Sequence, residues 1–309
     1  MRTAFIEELI AVAERDERVW LVCGDLGYSV LEAFGDRFPK RYLNAGVAEQ
    51  NMTGLAAGLA LAGKVVFTYS IANFPVMRCL EQIRNDVCYH KLDVKVVSVG
   101  GGLAYGSHGY THHGVEDLAI MAAMPNMTVV APGDPVEARA ATVTLARTPG
   151  PAYLRLGKAG EKVWHNEPIE FRLGRAIQMQ DGHDLTIIST GGVLGISIEA
   201  ARKLDAGGRS TRLLSMPSLV PLDVEAIRAA ARETAAIITV EEHGVGGLGT
   251  MTAEVLASIR AAVPFYAVRL GRDPIRVSGS QEQLRSAQGI SVDGIVAAAD
   301  KVMKSQLDK

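Results

Sequence analysis

The feature that most constrains this chain is a repeated alternation of short β-branched runs, apolar on both faces, with longer stretches of helical spacing. The runs fall at 19–23 (VWLVC), 64–69 (KVVFTY), 93–99 (DVKVVSV) and 127–131 (MTVVA). A strand that is apolar on both faces must be covered on both, which suits a parallel sheet between layers of helix. Helix candidates fill the gaps at 3–15, 48–62, 79–90, 115–123 and 134–147. The last of these opens Gly133-Asp134-Pro135, where Asp134 can cap and Pro135 can take the first helical position.

The pattern weakens into charged, irregular sequence between Gly157 and His183, and a second alternation follows. It places strands at 185–189, 210–216, 235–240 and 265–270, with helices at 194–205, 223–232, 249–262 and 291–304. The expected fold class is therefore α/β, built as two three-layer α/β domains: residues 1–170, a linker at 171–183, and residues 184–309.

Composition narrows the function classes. The 309 residues are 48% hydrophobic and 21% charged, as in a globular protein rather than a disordered one. Thirty-two Lys+Arg against 34 Asp+Glu leave a formal charge of −2 with no basic block, so no nucleic-acid partner is expected. The opening MRTAFIEELIAVAERDERVW reads as an amphipathic helix, not a signal peptide. The best candidate for an apolar span, GLAAGLALAG at 54–63, is half the roughly 20 residues that cross a bilayer. A cytoplasmic protein with no membrane partner is expected. Cys23, Cys79 and Cys88 form no CxxC pair and are expected as core residues.

Two segments carry chemistry. In Asn44-Ala-Gly-Val-Ala-Glu49-Gln50-Asn51, Glu49 stands at the mouth of a helix whose Gly54, Ala57, Gly58 and Leu61 offer a face for close approach. Such a carboxylate either complements the helix dipole or meets a basic nitrogen of a ligand. The glycine-rich stretch after the 93–99 run carries His108, His112 and His113. Loops at strand ends bind ligands in α/β proteins, so three imidazoles there read as catalytic or substrate-contacting groups, the alternative being solvent-exposed loop histidines. The spacing lacks the helix and glutamate of a zinc motif, so no metal ligands are assigned. Cys23-Gly24-Asp25-Leu26-Gly27-Tyr28-Ser29 reads as a strand followed by a turn, and Phe74 as an aromatic opening a helix.

In this order and spacing, the segments resemble the C-terminal half of transketolase-like thiamine diphosphate enzymes, especially the β-type chain of two-subunit transketolases. Gly46-Val-Ala-Glu49-Gln is similar to the family's glutamate motif, Gly24-Asp-Leu-Gly27 to its thiazolium-facing loop, and Thr111-His112-His-Gly to its histidine segment. Leu213-Leu-Ser-Met-Pro217 and Thr239-Val-Glu-Glu-His-Gly-Val-Gly-Gly247 are similar to the family's C-terminal domain. The resemblance implies a pyrimidine-binding (Pyr) domain followed by a transketolase C-terminal domain.

It also implies roles. Glu49 would hydrogen-bond the aminopyrimidine ring nitrogen and promote the tautomer that deprotonates the thiazolium. Phe74 would stack on the pyrimidine, and Asp25 and Leu26 would lie against the thiazolium. His112 would donate to the substrate oxygen, while Ser29 and Lys158 would contact the acceptor or its phosphate. His108 stands where the family has an aspartate that reads hydroxyl stereochemistry, which implies an altered substrate. A phosphate-binding histidine or arginine near Gly100 is missing.

The family's metal-binding GDG motif with its downstream Asn is also absent. The diphosphate and Mg²⁺ would then be held by a diphosphate-binding α-type subunit, in an α₂β₂ heterotetramer. The function implied is transfer of a two-carbon ketol unit to an aldehyde or sugar acceptor. A β-type 2-oxoacid dehydrogenase subunit and a catalytically silent scaffold subunit are the alternatives.

Overall fold

The computed structural model describes residues 1–166 and 168–307, with side chains of the last helix described as far as Lys304. Among the described residues, twelve strands form two sheets. The first has the order β10-β5-β6-β4-β3-β1-β2, where β1 is Val19–Cys23, β2 Tyr42–Asn44, β3 Val65–Ile71, β4 Val94–Val99, β5 Thr128–Val130, β6 Ala152–Leu156 and β10 Ser218–Val220. The second has the order β12-β11-β8-β9-β7, where β7 is Ile177–Gln180, β8 Leu185–Thr190, β9 Thr211–Ser215, β11 Ala236–Glu241 and β12 Phe265–Val268. Every pairing is parallel except at two edges, where β10 runs against β5 and β7 against β9.

The reason is burial. Every residue of β4, β6, β8 and β11 is buried, so these strands need cover on both faces. On one face of the first sheet, Phe5 and Leu9 of the helix Arg2–Arg15 and Leu145 of the helix Pro135–Arg147 pack with Leu21, Phe67 and Leu154. On the other, Met52 and Ala56 of the helix Glu49–Leu61 pack with Val22, Val66 and Val96, and this cluster runs on into Ile188, Leu214 and Ile237 of the second sheet. One shared core cluster thus joins the two halves, beside a cluster on the far face of the first sheet and one in the second domain.

Several local expectations change in detail. Asp134 caps its helix by accepting the Glu137 N–H, as its place before Pro135 implies. The helix expected at 79–90 is one turn, Leu80–Gln82, continued by a π-helix, Ile83–Cys88. The segment 171–183, expected as a linker, carries the edge strand β7. β10, from the second half of the chain, completes the first sheet. Ala57 faces inward, so the outward stripe of its helix is Gly54, Leu55, Gly58 and Leu61. All three cysteines are buried and free. Among the described residues no helix is long and apolar enough to cross a membrane.

Candidate functional site

Register places the site. Cys23 aligns with Tyr69, Ile71 with Val99 and Val99 with Leu156, so β1, β3, β4 and β6 end side by side. The segments that follow carry Asp25–Ser29, Phe74 with Arg78, the histidine loop, and Lys158. The carboxyl edge of a parallel sheet is where α/β proteins place ligand sites.

Glu49, the first residue of its helix, is only 3% exposed. Its charge is matched by Arg78, whose Nη1 donates to both carboxylate oxygens, at 3.0 and 2.9 Å. The Arg78 side chain remains 48% exposed, so it covers the carboxylate from the solvent side. The same guanidinium lies 4.2 Å from the centroid of the Phe74 ring. Phe74 and Arg78 are one helical turn apart, the Arg78 N–H donating to the Phe74 carbonyl at 3.2 Å.

From Phe74 the contacts pass to the histidine loop. The His112 ring centroid is 5.3 Å from that of Phe74, His108 is 5.0 Å from His112, and Tyr105 is 5.7 Å from His108. Lys158 Nζ sits 5.0 Å above Tyr105. Burial, with His108 and Arg78 nearby, lowers the His112 pKa, so at neutral pH it presents a neutral imidazole with one donor and one acceptor. His113 turns away into the interior, where burial lowers its pKa too. The three histidines therefore share no centre, and among the described residues no group of three or more His, Cys, Asp or Glu is placed to hold a metal ion.

The loop is fixed at its stem. Gly102 and Gly114 exchange both backbone hydrogen bonds, at 2.7 and 2.9 Å, and Asn73 Nδ2 donates to the Thr111 carbonyl. The second domain adds Glu242, whose Oε1 accepts the Leu103 N–H at 2.9 Å. Gly102 has φ +68°, and a Cβ there would lie 2.5 Å from Glu242 Cδ, so glycine is required by both backbone and space. Beneath it, Arg155 Nη2 donates to the Gly114 carbonyl at 2.6 Å and the Glu242 carbonyl at 2.9 Å, while Arg155 Nε lies 3.0 Å from Asp117. Tyr153 donates to the same Asp117 carboxylate at 2.5 Å. His243 Nε2 accepts the Ala119 N–H at 3.3 Å, which leaves the ring proton on Nδ1 to donate to the Gly244 carbonyl at 3.1 Å. Burial holds its pKa down at about 4.

Asp25 and Ser29 adopt left-handed backbone, φ 55° and 61°, an uncommon conformation for residues other than glycine. Asn44 secures the turn: its Oδ1 accepts the Asp25 N–H at 3.1 Å and the Gly46 N–H at 2.9 Å, and its Nδ2 donates to Asp25 Oδ1 at 2.9 Å. Asp25 and Leu26 line a cavity of about 360 Å³ with Tyr42 and Asn44. Ser29 is exposed, with its N–H donating to Glu32 Oε1 at 2.8 Å. This turn connects to Glu49 through Asn44 and Gly46 rather than through the histidines.

Through Arg78 and Tyr105 the structure links Glu49, Phe74, His112, His108 and Lys158 in one line of contacts, while Asp25, Leu26 and Ser29 follow Gly24, where a Cβ would lie 3.4 Å from Glu49 Cγ. Sequence reading missed Arg78 and Tyr105. A Phe74-x-x-x-Arg78 spacing on a helix was the available signal for the first; Tyr105 carried none. It also missed the support from Asp117, Tyr153, Arg155 and Glu242, which converge only through pairing distant in the chain.

Residues 1–160 match the family model described as the transketolase pyrimidine binding domain, and residues 174–295 that described as the transketolase C-terminal domain. The chain belongs to the transketolase family. It is similar to an apulose-4-phosphate transketolase subunit of Phocaeicola vulgatus, at 38% identity over 98% of this chain and 97% of the relative. It is also similar to the 6-deoxy-6-sulfo-D-fructose transketolase subunit SqwH of Clostridium sp., at 35% identity over 98% and 94%. A solved structure described as a split gene transketolase, inactive beta4 tetramer, superposes with a TM-score of 0.88 at 36% identity, covering 98% of this chain and 97% of that one.

Proposed function

We propose that the chain is the β-type subunit of a two-chain, thiamine diphosphate-dependent transketolase that transfers a two-carbon ketol unit to an aldehyde or sugar acceptor. The observation that carries the proposal is the line Glu49, Phe74, His112, His108 and Lys158 at one sheet edge, in a chain without the GDG motif for a diphosphate. The donor set fits the cofactor's ring: a buried carboxylate and an aromatic face are bridged by one flat, nitrogen-rich cation, which an aminopyrimidine resembles in shape and hydrogen bonding. When bound, thiamine diphosphate supplies the carbanion-forming chemistry.

The residues of this chain do the rest. Glu49 would hold a proton at the aminopyrimidine ring nitrogen, Phe74 would offer that ring its face, and Asp25 and Leu26 would border the thiazolium. Neutral His112 donates to the substrate carbonyl oxygen as negative charge grows there. Lys158 supplies a cation toward a phosphate, Ser29 a hydroxyl toward the acceptor, and His108 replaces a carboxylate acceptor with a group that can also donate. The diphosphate and Mg²⁺ belong to a partner α-type subunit, in a cytoplasmic α₂β₂ heterotetramer. The outward stripe Gly54, Leu55, Gly58 and Leu61 supports that assembly, since, its own helix apart, no atom of the described residues lies within 4 Å of a Cβ built at Gly54 or Gly58.

The test is reconstitution. With the partner chain, thiamine diphosphate and Mg²⁺, the complex should transfer a ketol unit from a ketose to an aldehyde, and either chain alone should not. Ketol transfer by this chain alone, or acylation of lipoamide from a 2-oxoacid in its place, would refute the proposal.

A further inference from the structure

We infer that Arg78 is a positioning residue that occupies the seat of the aminopyrimidine ring until that ring displaces it. The inference rests on the reading of Glu49 and Phe74 as the pyrimidine seat. One guanidinium satisfies both: Nη1 spans the two oxygens of Glu49 at 2.9 and 3.0 Å, and the group lies over the Phe74 ring at 4.2 Å from its centroid. A carboxylate at 3% exposure is costly to leave uncompensated, so the lone chain needs this cation. A ligand ring that seeks the same carboxylate oxygens and the same face of Phe74 competes with Arg78 for them.

Departure is structurally cheap. Arg78 is half exposed and lies just past the C-terminal end of the short helix Asn73–Met77, so its side chain can rotate into water without moving Phe74. In place, it keeps Glu49 and Phe74 aligned. In that same place its positive charge helps to hold down the His112 pKa.

The test uses the complex assembled with the partner chain and measures thiamine diphosphate binding by calorimetry in excess Mg²⁺. Arg78→Ala should bind the cofactor about three- to tenfold more tightly, the range set by one half-exposed ion pair with a cation–π contact, and Arg78→Lys less so because an ammonium cannot lie flat on the ring. Methylguanidinium at millimolar concentration should refill the seat of Arg78→Ala and weaken its cofactor binding, with no such effect on the wild type. If Arg78→Ala does not assemble, the smaller tightening expected of Arg78→Lys decides the matter. Unchanged or weaker cofactor binding in the assembled variants would overturn the inference. Glu49→Gln and Phe74→Ala separate the two readings: if they weaken binding while the Arg78 variants fail to tighten it, only the role of Arg78 falls, and if they leave binding unchanged, the seat itself is wrong.

Discussion

Replacing Glu49 by glutamine separates the chemistry of this site from its architecture. The amide keeps the size of the side chain, so no cavity forms. Its oxygen can still accept from Arg78 Nη1, which now donates to both carboxylate oxygens at 3.0 and 2.9 Å. What is lost is the charge. Because Arg78 is 48% exposed it is rehydrated readily, and the change in folding stability should be about 1 kcal/mol or less. A carboxyl that holds a proton in place has no substitute in an amide, and such groups contribute roughly 10²–10⁴-fold in rate, about 3–5 kcal/mol of barrier. Exchange of the bound cofactor's acidic C–H with deuterated solvent should therefore slow at least ~100-fold, and ketol transfer should fall with it, while the melting temperature barely moves. Exchange within a few-fold of wild type, in a complex shown to be assembled and loaded, would refute the assignment.

Three further outcomes follow from the same geometry. Gly58→Leu builds outward from a position where, its own helix apart, no atom of the described residues lies within 4 Å of a Cβ, and it improves helix propensity, so the isolated chain should fold at least as well while sedimentation shows loss of the assembled particle; an intact heterotetramer would place the interface elsewhere. His108→Asp, on the exposed side of the loop, should shift kcat/KM toward ordinary ketose phosphates, and an unchanged substrate profile would remove His108 from specificity. His243 has a folded pKa of about 4 against 6.5 unfolded, so the unfolded chain binds more protons between those values; the stability that neutral His243 provides is full above pH 6.5 and is lost as pH falls toward 4, by up to about 3 kcal/mol. The melting-temperature gap between wild type and His243→Gln should narrow across that window, and a gap independent of pH would sink the argument.

Much was legible in the chain itself. Runs apolar on both faces have one stable solution, cover on both sides, so the parallel strands β1, β3, β4, β8 and β11 follow from side-chain burial alone. Asp134 before Pro135 marks a helix start because capping is a local hydrogen bond. Glu49 stood out because a carboxylate at an apolar helix mouth is costly to bury unpaired, and His108 and His112 because imidazoles clustered in a glycine-rich loop at a strand end suit ligand contact.

Tertiary structure decided the rest. β2 and β10 are three residues each, and β7 alternates with glutamine, so their existence is defined by a neighbour's backbone hydrogen bonds rather than by any periodicity of their own. β6 carries Tyr153 and Arg155, polar tips whose burial is stable only because Asp117 and Glu242 arrive from elsewhere in the chain. Arg78 reads as an ordinary surface cation until Glu49, 29 residues away, is brought under it. Local sequence sets which segments become strands and helices, because propensity, capping and burial act over a few residues. Which side chains meet is set by sheet register between segments far apart, and that is fixed only when the whole core closes.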